Sequence, residues 1–225
     1  MKRSEINRII RDMEELAKKQ GFALPPFADF APEKWASVKA ETEEIRENKL
    51  GWDVTDFGLN RFFDCGLALF TIRNGNPHDQ KKYPKPYAEK LMMMYPGQYM
   101  CTHYHWYKME DIINRGGNDL IIELWNGNEA REKLDTPVSV SCDGIRRTLP
   151  AGGAVTLHPG ESMTLTPYLY HLFRVPSEGG PALIGEVSMC NDDDHDNCFF
   201  ETVGRFPKIE EDEAPYRLLC TEYPS

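Results

Sequence analysis

The sequence predicts an all-β protein, a sandwich or barrel of antiparallel strands preceded by an α-helical extension. Two observations carry this. From Asp56 onward short β-rich runs recur, broken by Gly, Pro and Asn, whereas the first fifty residues show apolar positions at helical spacing. With 225 residues and 40% hydrophobic content the chain can bury a substantial core as one structural unit. The expected organisation is an extension over 1–55, a barrel over 56–201 and a C-terminal strap over 202–225.

Ser4 is the expected N-cap of a first helix whose apolar positions Ile6, Ile9, Ile10, Met13, Leu16 and Ala17 form one stripe, ending at Gly21. That stripe suits either a barrel face or a second subunit. A second helix opens at Pro32 and continues through Trp35, Val38, Ala40 and Ile45. The expected strands run over 62–73, 87–95, 98–106, 119–125, 138–142, 154–157, 162–165, 170–175 and 182–189. Asn126-Gly127 and Asp143-Gly144 read as tight turns between paired strands. The tail after Thr202, rich in Pro and acid, reads as an irregular strap.

A formal net charge of −10, with no basic run longer than two residues, leaves little to neutralise phosphates, which argues against nucleic acid and anionic membrane as partners. The first residues lack the apolar stretch of a signal peptide. No run of about 18 apolar residues suggests a spanning helix. Six cysteines without any C-x-x-C read as reduced thiols. The expectation is a cytoplasmic protein.

The chemistry concentrates between Gly97 and Gly117. His103 and His105 stand two residues apart and project from one face of a strand, and Glu110 returns to the same place after a turn. Two imidazoles and one carboxylate suit Mn, Fe, Co, Ni or Zn. A later histidine, His171 in Pro167-Tyr-Leu-Tyr-His171, is the candidate fourth ligand. Glu186 is a carboxylate within an apolar strand, so burial is expected to raise its pKa towards neutrality and suit it to proton transfer. The alternative is a structural acid in an ion pair. Lys108 is a candidate for stabilising oxyanion charge. Lys90, Trp106, Asp193 and Phe173 are candidate substrate contacts, with Tyr104 a further aromatic near the ligands. The run Asp192-Asp-Asp-His195-Asp196 invites a second metal site but reads more simply as a solvated loop, of which at most one acid, Asp193 or Asp196, reaches the barrel mouth. His78 and His158 are read as structural.

The spacing G-x5-H-x-H-x4-E-x6-G from Gly97 to Gly117 matches the first cupin motif at every fixed position. Around His171 the second motif departs from pattern, with Leu169 and Val175 where Gly and Asn are usual. Tyr87-Ala-Glu-Lys90, Trp106-x-Lys108-Met-Glu110-Asp-Ile-Ile-Asn-Arg-Gly-Gly117, Leu157-His-Pro-Gly-Glu161 and the segment from Arg205 to Glu213 together resemble the D-lyxose isomerase family of cupins. That resemblance covers nearly the whole chain. It implies a cupin β-barrel with a divalent metal, usually manganese, interconverting D-lyxose with D-xylulose and D-mannose with D-fructose. A metal chelating two adjacent sugar oxygens would stabilise a cis-enediolate, and an acid–base group would carry the proton between C1 and C2. The expected partner is a small sugar, and the expected assembly a homodimer. Two alternatives stay open from the residues: a cupin dioxygenase, or a sugar-binding cupin module without catalysis.

Overall fold

The helix read from the first residues is α1, Arg3–Lys19, in a computed structural model that describes residues 1–204 and 206–224. Arg205, within the family-like segment, and Ser225, the end of the strap, lie outside the described residues. Ile6, Ile9, Ile10 and Met13 are fully buried, and Gly21 closes the helix at φ +71°. Ser4 is not the cap. The N-cap is Lys2, which makes no side-chain cap, and the Ser4 amide and hydroxyl instead donate to the Asp212 carboxylate at 2.9 and 2.7 Å. The capping oxygens therefore come from the strap, an acid more than 200 residues away in the chain that places negative charge at a helix N-terminus.

The predicted second helix is two short ones, α2, Pro32–Ser37, and α3, Glu43–Glu47. Between them the Thr42 hydroxyl donates to the Val38 carbonyl at 2.9 Å. Trp35 is the one buried side chain of α2 and α3 has none, so no continuous apolar face holds a longer helix together.

Strands follow in the order β1 Gly51–Thr55, β2 Leu67–Arg73, β3 Tyr87–Met94, β4 His103–His105, β5 Glu110–Gly117, β6 Leu120–Gly127, β7 Lys133–Leu134, β8 Val138–Cys142, β9 Ile145–Leu149, β10 Gly153–Leu157, β11 Ser162–Leu165, β12 Leu169–Arg174, β13 Ala182–Met189 and β14 Asn197–Phe199. They form two antiparallel sheets. One is ordered β1-β2-β3-β13-β5-β11-β8-β9, the other β10-β6-β12-β4-β14 with β7 beside β6. The expected strand over 98–106 contracts to β4, and the one from Phe62 begins at Leu67, because the Asp64 and Cys65 amides close a turn on Arg61. Asp143-Gly144 forms the tight turn between β8 and β9, both residues at positive φ. Asn126-Gly127 instead lies inside β6, where the two residues pair with Leu134 and Lys133. The Asn126 amide donates to the Thr136 hydroxyl and the Pro137 carbonyl, which holds it extended.

Alternation along β2 and β3 separates two cores. Ala68, Phe70, Leu91 and Met93 face outward against Ile6, Ile9, Ile10 and Met13 of α1. Leu67, Leu69, Met92 and Met94 face inward to a barrel interior shared with Ile112, Ile122, Leu124 and Phe173. The apolar stripe of α1 therefore covers a barrel face within its own chain. The strap runs back over α1. Asn7 donates to Glu213, the Tyr216 amide donates to Asn7, and Arg3 pairs with Glu211 and Glu222.

Candidate metal centre and cavity

His103 and His171 face each other directly across the β4–β12 ladder, and their Nε2 atoms are 3.1 Å apart. Each ring is fixed from behind: the Nδ1 of His103 meets the Cys101 carbonyl at 3.0 Å, and that of His171 the Leu169 carbonyl at 2.9 Å. A carbonyl only accepts, so both Nδ1 atoms carry the hydrogen and both Nε2 atoms present lone pairs. Burial lowers the pKa of His103 well below the ordinary imidazole value and lowers that of His171 to about 4. Near neutral pH the two lone pairs therefore point at each other with no proton between them. This arrangement asks for a cation.

The other donors converge there. The Nε2 of His105 lies 3.4 Å from one Glu110 oxygen, and the Nε2 of His171 3.5 Å from the other. The three imidazoles offer nitrogens within 4.8 Å of one another, and all four residues are buried. After the turn that follows β4, Glu110 opens β5, where its register partners are Ser188 of β13 and Leu165 of β11. Burial opposes charge on Glu110, yet Lys108, His105 and His171 outweigh it and hold the carboxyl well below its usual range. A set of three imidazoles and one carboxylate fits a divalent transition metal.

Beside these donors lies a buried charge quartet. The Nζ of Lys108 is 2.6 Å from Glu110 and 2.8 Å from Oε1 of Glu186, while the Nζ of Lys90 is 3.4 Å from the same Oε1. Glu186 and Lys90 are register partners on β13 and β3, so the pleat sets their side chains on one face. Two acids and two ammonium groups balance, as buried charges must. The expected upward shift of Glu186 is reversed. Burial pushes its pKa up, but Lys108 and then Lys90 pull it down further, and the net pKa lies below the ordinary carboxylate value. Burial likewise opposes charge on Lys108, and Glu110 and Glu186 more than offset it, so its pKa is raised.

Lys90, Lys108, Phe173, Glu186 and Asp193 line one cavity with His103, His105 and Glu110. Trp106 and Tyr104 do not. With His103 and His105 turned inward, the alternate positions face out, and Trp106 packs on Tyr104 and Tyr168 at centroid distances of 4.9 and 5.6 Å. Asp196 does reach the site, though from behind. It accepts the Tyr107 amide at 2.7 Å, and its Oδ2 lies 3.4 Å from Nδ1 of His105. Burial resists charge on Asp196, but His105 and the Tyr107 amide hold the carboxyl below its usual range. Sequence spacing missed Thr55, Phe57 and Phe199, which complete the wall. Thr55 falls in the stretch read as the helical extension, and Phe57 and Phe199 lie within the expected barrel but outside every strand read from the sequence.

A cupin barrel carrying this imidazole–carboxylate set and a buried acid–lysine pair defines the class of cupin sugar isomerases. The sequence model of the D-lyxose isomerase family matches residues 1–223, and the chain belongs to that family. It is 46% identical over 224 residues to the D-lyxose/D-mannose isomerase of Escherichia coli O157:H7, spanning 99% of this chain and 98% of the relative. The D-lyxose/D-mannose isomerase of Serratia proteamaculans shows the same identity and coverage. Among solved structures, the fold is shared with L-ribose isomerase of Acinetobacter sp. DL28 in complex with L-ribose (TM-score 0.59, 16% identity, 92% of this chain and 98% of the other). It is also shared with that of Cellulomonas parahominis (TM-score 0.57, 16% identity, 93% and 98%). The chain is an aldose–ketose isomerase, and the dioxygenase and non-catalytic readings fall away.

Proposed function

We propose that this isomerase interconverts D-lyxose with D-xylulose, and D-mannose with D-fructose, with a divalent transition metal held by His103, His105, Glu110 and His171. The relatives' substrates support the sugars. The observation that carries the metal is the pair of Nε2 lone pairs 3.1 Å apart, each fixed by a backbone carbonyl behind its ring. Manganese is the favoured ion by resemblance, and Fe, Co, Ni or Zn would meet the same donors. When bound, the ion supplies Lewis-acid polarisation of the sugar's C1 and C2 oxygens.

The remaining work falls to this chain's side chains. Lys108, Lys90 and Ser188 all engage Oε1 of Glu186, and among the described residues Oε2 has no such partner. In this reading Oε2 removes the hydrogen from C2 of the aldose as a proton and returns it to C1, while the O2 proton passes to O1. Atoms and charge then balance without an oxidant. The two lysines keep Glu186 ionised and able to accept a proton, and they stabilise the negative charge that develops on the sugar oxygens. Phe57, Phe173, Phe199 and Met92 wall the cavity and limit water.

The test is to strip the metal, add back Mn, Fe, Co, Ni or Zn singly, and follow ketose formed from D-lyxose and D-mannose. Ketose is expected with at least one ion, and none with any would end the reading. Glu186→Gln should keep its metal and lose turnover about 10²- to 10⁴-fold. Unchanged turnover would remove Glu186 from the reaction.

In the same reading the enzyme is cytoplasmic, which six free cysteines support, and no helix is long and apolar enough to cross a membrane. It works as a homodimer. The stripe on α1 is covered within the chain, so the face offered to a second copy is the exposed patch of Tyr87 on β3, Val187 and Met189 on β13, and Met109 just before β5. Light scattering should give twice the chain mass for the wild-type protein and the single mass for Val187→Asp.

A further inference from the structure

His78, read from sequence as structural, and His195, read as part of an acidic loop, lie 117 residues apart in sequence, yet the fold brings both to Asp192. The Nε2 of His78 is 2.7 Å from Oδ2, and the Nδ1 of His195 is 2.8 Å from Oδ1, so each carboxylate oxygen takes one imidazole. The two rings stand 5.2 Å apart at 68°. All three ligand atoms fall within 4.8 Å of one another, the one such set among the described residues apart from the barrel histidines.

Each donor sits on a turn with a fixed shape. Asn76 Oδ1 accepts the His78 and Asp79 amides, and the Asp192 carbonyl accepts those of His195 and Asp196. Asp192 is only 19% exposed, whereas the two imidazoles are 64% and 68% exposed and can adjust by rotation.

We propose that His78, Asp192 and His195 bind a second divalent ion, outside the barrel, of the first-row transition-metal class, zinc among them, that two imidazoles and a carboxylate suit. Bound there, the ion fastens the 192–196 turn to the loop that carries His78. That turn also holds Asp193, which lines the cavity, and Asp196, which faces His105. The outer ion is thus a clamp on the mouth of the barrel. It takes no part in proton transfer.

Equilibrium dialysis of the metal-stripped protein against zinc tests the site directly. The zinc count per chain should fall by one in the His78→Ala/His195→Ala protein, and an equal count in both proteins would overturn the site. The exposure of both rings makes the variant safe for folding, which circular dichroism checks. The difference reads the outer site whatever the barrel binds, so its failure is separate from failure of the isomerase reading, which ketose formation with manganese reports. Hydrogen exchange tests the clamp. Adding zinc should slow amide exchange over residues 190–197 at least several-fold more in the wild-type protein than in the variant. Equal slowing in both would overturn the clamp.

Discussion

Lys108 is the side chain on which the buried charges most depend. It is 4% exposed and lies between two carboxylates, each within 3 Å. Lys108→Met fills similar volume but leaves Glu110 and Glu186 with one cation fewer, and removing one partner from a buried ion pair costs about 3–5 kcal/mol. Urea unfolding of the metal-free variant should show a loss of that size. Lys108→Met/Glu186→Leu should recover part of it, since no carboxylate is then stranded at position 186; no recovery would contradict the quartet. At this scale the sequence was most informative where ligands follow strand periodicity. His103 and His105 share a face because they are two apart. Asp196 was only one of two acids expected at the barrel mouth, and its contact with His105 comes from a turn whose path spacing does not encode.

An element's worth depends on which of the two cores it closes. Ile10 is fully buried between α1 and the outer face of β1 and β2, away from the cavity. Ile10→Ala should cost about 2–5 kcal/mol of unfolding free energy from lost transfer and cavity terms. With the inner core untouched, kcat should stay within about twofold. A large fall in kcat at full folding would mean that α1 reaches the site. The helix itself was legible because six apolar positions recur on one stripe, and β8, β11 and β13 because alternating or continuous apolar runs end at turn residues. The Ser4 cap misled because the oxygen that meets the helix end arrives from Asp212, and no local pattern reports a partner so distant. β5 was passed over because its inward residues include Glu110 and Asn114, polar groups that mask the alternation until the site they serve is known.

For the whole molecule, the outside is acidic while the barrel disfavours charge on two of its imidazoles, His103 and His171, and this makes stability depend on pH. An unfolded chain protonates histidine near pH 6.5. His103 and His171 enter the fold with pKa values lowered by burial, His171 to about 4. Between those values the unfolded state binds more protons than the folded one, so the contribution is complete above pH 6.5 and lost as pH falls through 4. His105 works against this. Burial opposes its charge, Lys108 adds to that, and Glu110 and Asp196 outweigh both, so its raised pKa gives stability present below pH 6.5 and lost above. Two histidines against one, joined by the depressed Glu110 and Glu186 below about pH 4.5, leave the low-pH side the weaker. For the metal-free protein, urea midpoints should fall steadily from pH 6.5 to 4, with His171 alone accounting for on the order of 3 kcal/mol. His171→Asn should flatten that slope, because the substituted amide does not titrate. A slope of the same steepness in the variant would show that the facing imidazoles are not what sets it.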